Sequence, residues 1–219
     1  YPSNLNSNNV KIYLDGEAYF DVVKKKNRKY VINTSSINIE VLGTSFNVKS
    51  YSDENTIETT LENGTILINS ASNKNRFEKA IILNPNQKAT FIKNTEKIKI
   101  SDISTPGKIS NQKKNEKAID KKESIKPNLV ISKQIDTELY TSWKDGRMVF
   151  RKENFYTLSK KMERWYDVQI TILDEDLHNW KYTGVFEKET IEQALEALSL
   201  SMPFQYEIDQ NKIFITKKL

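Results

Sequence analysis

From Val10 to Ile100 the hydrophobic period is two. Val10, Ile12 and Leu14 alternate with Lys11 and Tyr13. Ala18, Phe20 and Val22 follow, then Tyr30 and Ile32, then Ile37, Ile39 and Val41, Phe46 and Val48, Ile57, Thr59 and Leu61, Ile66 and Ile68, and finally Ile98 and Ile100. A period of two predicts strands with one buried and one wet face. Turn chemistry separates them at Asp15-Gly16, Leu42-Gly43, Asn63-Gly64 and Asn84-Pro85-Asn86. Asn63-Gly64 supplies two residues tolerant of positive φ and predicts a type I′ hairpin between the segments around Leu61 and Ile66. The pattern predicts an all-β body of roughly eight to ten strands, closed as a β-sandwich or a short β-solenoid.

After Ser101 the period disappears. Lys, Asn, Ser and Glu dominate up to Pro127, with Pro106-Gly107 near the start. Such a stretch buries too little apolar surface to offset the entropy of ordering it, so residues 104–127 are read as a basic, flexible linker.

Beyond the linker the period becomes helical, and one unit occurs twice. Residues 146–219 repeat with an offset of 36 positions: Phe150 maps to Phe186, Glu153 to Glu189, Asn154 to Thr190, Phe155 to Ile191, Met162 to Leu198, Val168 to Phe204 and Ile170 to Tyr206. Each copy reads as strand, polar corner, helix, strand. The first helix is capped by Asn154 and carries Phe155, Leu158, Met162 and Trp165 on one face. The second is signalled by Thr190 and Gln193 as a capping box, with Ile191, Ala194, Leu195 and Leu198 as its apolar stripe. The fold class is therefore α+β: an all-β body over residues 1–103, the linker over 104–127, and a duplicated βαβ module over 128–219, with Leu129-Val130-Ile131 as the strand leading into it.

Composition narrows the chemistry. The formal charge is +5, but seven lysines against three acids between Lys108 and Lys126 account for a net +4 of it. The folded parts are left nearly neutral, which argues against a nucleic-acid partner. There is no cysteine, so disulfides, thiolate metal sites and Cys nucleophiles are excluded. His178 is the single histidine and follows the acidic Asp174-Glu175-Asp176 run, where it reads as a surface residue. Glu58 and Glu62 share strand parity and are read as lying on one solvated face rather than across a cleft. The six glycines are scattered, none in a phosphate-binding loop, and the sequence implies no cofactor and no catalysis. No run of roughly 18 apolar residues suggests a membrane helix. The chain opens on Tyr1 rather than Met, and is read as a piece of a longer protein.

Two segments stand out as partner-binding candidates. Trp180, Tyr182 and Phe186 share one strand face, an arrangement found in core layers and in stacking or docking surfaces. Ile213, Phe214, Ile215 and Thr216 lie in the terminal strand, which is expected to pair with Phe204–Ile208 by a hairpin and to sit at a sheet edge, open to strand addition.

The run Leu14-Asp15-Gly16-Glu17-Ala18-Tyr19-Phe20-Asp21-Val22, then Val41-Leu42-Gly43-Thr44-Ser45-Phe46-Asn47-Val48, Thr59-Thr60-Leu61-Glu62-Asn63-Gly64 and Leu83-Asn84-Pro85-Asn86-Gln87 resembles the periplasmic domain of FecR anti-sigma regulators. Trp143-Lys144-Asp145-Gly146 to Phe150, with Trp165-Tyr166-Asp167-Val168, resembles the module that follows it in Bacteroidetes members, which is similar to the short N-terminal domain of secretins and TonB-dependent transducers. Asn86 stands where relatives usually carry glycine, and asparagine also tolerates positive φ. The resemblance implies a periplasmic ectodomain that binds the signalling domain of a TonB-dependent transporter. It implies a sigma factor held through a cytoplasmic domain absent here, and membrane attachment through an N-terminal helix also absent. The competing reading is a carbohydrate-binding module of a glycan-use system, in which Trp180 or Tyr182 stacks on sugar.

The linker reading predicts that limited proteolysis of the native chain cuts first between Lys108 and Lys126. Early cleavage within residues 146–200 would contradict it.

Overall fold

The computed structural model of the chain describes residues 8–71, 80–93 and 129–218. The expected strand at Ile98 and Ile100 and the linker at 104–127 lie outside these residues. The chain divides into two compact units, Tyr1–Ile135 and Asp136–Leu219.

The first unit contains two five-stranded sheets. One has the order β1 (Asn9–Tyr13), β3 (Lys29–Asn33), β4 (Ile37–Val41), β7 (Ile66–Ser70) and β8 (Ile81–Leu83). The other runs β10 (Leu129–Lys133), β9 (Gln87–Ile92), β6 (Thr56–Asn63), β5 (Thr44–Ser50) and β2 (Gly16–Val22). All pairs are antiparallel except β1 with β3. Ile32, Ile39, Ile66 and Ile68 of the first sheet and Phe46, Val48, Ile57, Leu61 and Phe91 of the second form a single buried cluster. Two sheet faces closing on one core is a sandwich, and the solenoid alternative falls away.

The polar parity of the second sheet lies on its outer face, where its side chains bond one another across strands. Asn47 Nδ2 donates to Glu17 at 2.7 Å, Ser45 Oγ to Asp21 at 2.7 Å, Tyr19 Oη to Glu62 at 2.5 Å and Lys88 Nζ to Glu58 at 3.1 Å. Burial first, and the Glu62 bond second, push the Tyr19 hydroxyl pKa upward. Glu58 and Glu62 therefore do share one face, and each is engaged with a partner.

Three details differ from the sequence reading. Asn63-Gly64 does not close a hairpin, because β6 and β7 belong to different sheets. Only Gly64 has positive φ, at 94°, and a Cβ there would lie 2.6 Å from the Gly43 carbonyl oxygen, so this glycine serves a tight corner between sheets. The strand at 129–133, expected to open the C-terminal module, instead pairs with β9 and completes the sandwich. β8 and β9, which flank the Asn84–Asn86 turn, are additional to the predicted strands. The turn itself holds Asn86 at φ 59° with its N–H on the Leu61 carbonyl at 2.9 Å, as its asparagine allows.

The second unit opens with α1 (Glu138–Thr141) and a 3-10 turn at Ser142–Asp145, neither of which the hydrophobic period announces. The duplication follows: β11 (Met148–Asn154), α2 (Phe155–Tyr166) and β12 (Gln169–Ile172), then β13 (Lys181–Phe186), α3 (Ile191–Ser201), β14 (Phe204–Asp209) and a further strand, β15 (Lys212–Lys217). The caps are where the sequence puts them. Asn154 Oδ1 accepts from Thr157 N at 2.8 Å, and Thr190 and Gln193 complete both bonds of the capping box. Asp167, at φ 54°, ends α2 in the left-handed conformation. Phe155, Leu158, Met162, Ala194, Leu195 and Leu198 form the helical share of a core that also takes in Ile170, Tyr182, Phe186, Phe204, Ile213 and Ile215.

Leu198 is 4% exposed in that core. Leu198→Asp is expected to unfold this unit and leave the sandwich folded, because an unpaired buried carboxylate costs several kcal/mol against about 5–15 kcal/mol for a whole domain. Calorimetry should show the loss of one transition, and an unchanged melting profile would show the stripe to be misread.

Candidate functional site

The first strands of the two copies pair with each other, β11 antiparallel to β13. The second strands do not. Both flank β15, which runs parallel to β12 and antiparallel to β14. β15 is thus the centre of a three-stranded sheet, and its expected place at an edge is corrected: both sides of its backbone are already used. The four residues singled out in it separate by parity. Ile213 and Ile215 are fully buried in the module core, whereas Phe214 and Thr216 are half-buried on the opposite face, with Thr171 and Glu207 level with Phe214 on the neighbouring strands.

The aromatic face of β13 is also a core layer. Tyr182 is 3% exposed with its ring centroid 5.1 Å from that of Phe155, and Trp180 is half-buried against the same cluster. The Tyr182 hydroxyl is buried without a hydrogen-bond partner, and that burial pushes its pKa upward. Tyr182 therefore offers no open platform on which a sugar could stack, and Trp180 is only partly accessible. Gly184, the position between the aromatics, faces Phe150 across the β11–β13 pair, and a Cβ there would lie 2.9 Å from the ring.

The free edges of the three-stranded sheet belong to β12 and β14. They differ in chemistry. On β12 the Ile170 N–H is taken by Glu163 Oε1 at 2.7 Å, and the other oxygen of that carboxylate holds Lys160 at 2.7 Å. This edge is capped by its own helix. β14 carries no lysine, proline or bulge, three of the devices that guard sheet edges, and its only charges are Glu207 and Asp209. In the two-stranded sheet, by contrast, β11 is bulged between Phe150 and Glu153 and β13 begins on Lys181. Along β14, Phe204 points to the core while Gln205, Glu207 and Asp209 are exposed. Glu207 and Asp209 have no ion-pair partner among the described residues. The rest of the module's charge is largely spent internally: Lys161 on Glu153 at 2.8 Å, Arg151 on Asp136 at 3.0 Å, and Arg147 between Glu138 at 2.6 Å and Glu187 at 3.0 Å. His178 stands on a 3-10 turn with its ring 5.2 Å from Tyr156. Among the described residues no three His, Asp or Glu side chains gather as a metal would need.

These features define a two-unit α+β protein whose C-terminal unit leaves one acidic strand edge uncapped. The chain belongs to the FecR family: the model described as FecR protein matches residues 2–77, and that described as FecR, C-terminal matches residues 147–215. Two crystal structures described as a candidate anti-sigma factor from Parabacteroides distasonis share the fold. One, at 1.65 Å, has a TM-score of 0.73 at 19% identity, covering 100% of this chain and 85% of that one. The other, at 2.50 Å, has a TM-score of 0.71 at 20% identity with the same coverage. No curated protein matches the chain.

Because the Tyr182 hydroxyl has lost water and gained no partner, Tyr182→Phe is expected to leave the module as stable or to raise its stability by about 1 kcal/mol. Chemical denaturation measures it. A loss of that size instead would show the hydroxyl to be bonded.

Proposed function

We propose that this chain is the periplasmic, signal-receiving ectodomain of an anti-sigma regulator, and that it binds the signalling domain of a TonB-dependent outer-membrane transporter. Cargo status then passes to a sigma factor through cytoplasmic and membrane segments outside this sequence. Family membership supports the regulatory role, and the free edge of β14 is the single observation that supports the mode of binding. An extended segment of the partner pairs with β14 in place of the missing fourth strand. Main-chain bonds supply part of the affinity, and the exposed side chains alternating along the edge supply selectivity. With Glu207 and Asp209 unpaired, the complementary strand is basic. The whole module, residues 136–219, has the same sign, with fifteen Asp and Glu against twelve Lys and Arg. The polar face of α2 is the less suitable surface, since Lys160 and Lys161 are already paired with Glu163 and Glu153. The carbohydrate-binding reading is the weaker one, because Tyr182 is buried in the core and Trp180 is half-buried against it.

Titration against the signalling domain of a transporter encoded nearby tests this. Glu207→Lys with Asp209→Lys is expected to weaken binding at least tenfold, and the complex should protect the amides of residues 204–209 from hydrogen exchange. If charge reversal of Lys160, Lys161 and Arg164 abolishes binding while the β14 variant binds normally, docking runs through the helix instead.

A further inference from the structure

The loop from Val23 to Arg28 joins β2 to β3 and reads Val-Lys-Lys-Lys-Asn-Arg. It is closed as a turn. Arg28 N donates to the Lys25 carbonyl at 3.3 Å, and Asn27 adopts φ 60° to make the turn. Lys24, Lys25 and Lys26 are exposed, and none has an ion-pair partner among the described residues. The acids around them are engaged elsewhere: Asp21 accepts from Ser45, and Glu40 holds Lys29 at 2.5 Å. The Arg28 guanidinium lies over the Tyr30 ring, 5.2 Å from its centroid.

Two large apolar side chains accompany the cations. Val23 is 73% exposed and Leu42 is 56% exposed. They belong to one surface, because the Leu42-Gly43 turn lies on the loop so closely that a Cβ at Gly43 would come within 2.5 Å of Lys24 Cβ. The chain also enters the sandwich here, with the Asn8 carbonyl accepting from Lys29 N at 2.8 Å.

We infer that the Val23–Arg28 loop and Leu42 together form a docking surface for an anionic phospholipid bilayer. Free lysines supply attraction to phosphate headgroups, and isolated aliphatic side chains beside them enter the boundary between headgroups and acyl chains. A nucleic-acid strand is the poorer fit, since no aromatic side chain is exposed among the cations for bases to stack on. The orientation rests on the membrane-anchored reading proposed above: a chain tethered upstream of Asn8 presents this end of the sandwich to the membrane surface. The surface would hold the sandwich against the bilayer that carries its anchor.

Co-sedimentation of the full chain with vesicles of phosphatidylcholine, with and without phosphatidylglycerol, tests the inference. Binding is expected only with phosphatidylglycerol, and it should fall as salt screens the charges. Replacing Lys24, Lys25 and Lys26 by Gln should weaken it about a hundredfold, at roughly fivefold per lysine. Val23→Ser with Leu42→Ser should weaken it while leaving the salt dependence in place. Absence of binding, unchanged binding by the lysine variant, or loss of binding on neutralising Lys113, Lys114 and Lys117 alone each overturns the inference. Capture of the transporter signalling domain is measured in parallel. A lysine variant that keeps lipid binding but loses capture makes this a protein contact and overturns the inference. Lipid binding without any capture by the unaltered chain counts against the receiving role alone.

Discussion

Phe155, the first residue of α2, ties the two copies of the duplicated unit into one body. Its ring meets Tyr182 of β13 at 5.1 Å and Phe204 of β14 at 5.2 Å, so a single side chain from the first copy contacts the first and last elements of the second. The contact matters because neither copy can stand alone. The first strand of each finds its ladder partner only in the other copy, and the second strands meet only through β15. Half a module would leave its one helical stripe and four strand edges exposed. Once the copies join, Phe155 and its neighbours are removed from water, at roughly 1.5–3 kcal/mol for each large side chain buried. The placement of the module's strand edges follows from that joining.

Elements with a face to bury were legible in the sequence. Ile37, Ile39 and Val41 or Phe46 and Val48 announce strands because alternate positions must face the core, and Asn154, Thr190 and Gln193 announce helix starts because the first free N–H groups need acceptors. Features that depend on the neighbour were not legible. In β8 all three residues, Ile81, Ile82 and Leu83, are apolar, so no alternation marks the strand although only Leu83 is fully buried. Asn63-Gly64 has the composition of a hairpin turn, yet composition does not say whether the next strand joins the same sheet or the facing one. The position of β15 is the clearest instance. Ile213 and Ile215 alternate with Phe214 and Thr216 whether the strand is central or at an edge, since alternation reports faces and edges lie in the perpendicular direction. The available hint was the first copy itself: a strand-helix-strand unit whose second strand, Gln169–Ile172, has to find a parallel neighbour that no short hairpin can provide.

The candidate edge was illegible for the same reason, and it becomes visible only by comparing the two sides of one small sheet. β12 has spent Glu163 on an outward N–H, a charge placed where an approaching strand would need a donor. β14, on the other side, has no such cap on its backbone among the described residues. An open edge is an aggregation hazard that natural sheets commonly suppress, and an uncapped edge beside a capped one is the observation behind the binding mode proposed above. Glu207 and Asp209 serve both needs. They repel the acidic edge of another copy of this chain and attract a basic strand.

Magnitudes indicate how such an edge works. A strand added to the six residues of β14 makes main-chain bonds at alternate positions, and at about 0.5–1.5 kcal/mol net each these bonds yield only a few kcal/mol. Ordering the incoming segment and losing its free translation consume energy of the same size or larger. Backbone pairing on its own therefore gives no lasting complex, and the balance has to come from the side chains beside it: Gln205, Glu207 and Asp209 on one face and, if the partner covers the sheet, the half-buried Phe214 and the exposed Leu173. A contact built from many weak terms of this kind forms and breaks readily. Such a contact would suit the receiving role proposed above, in which the bound state has to follow the state of the partner.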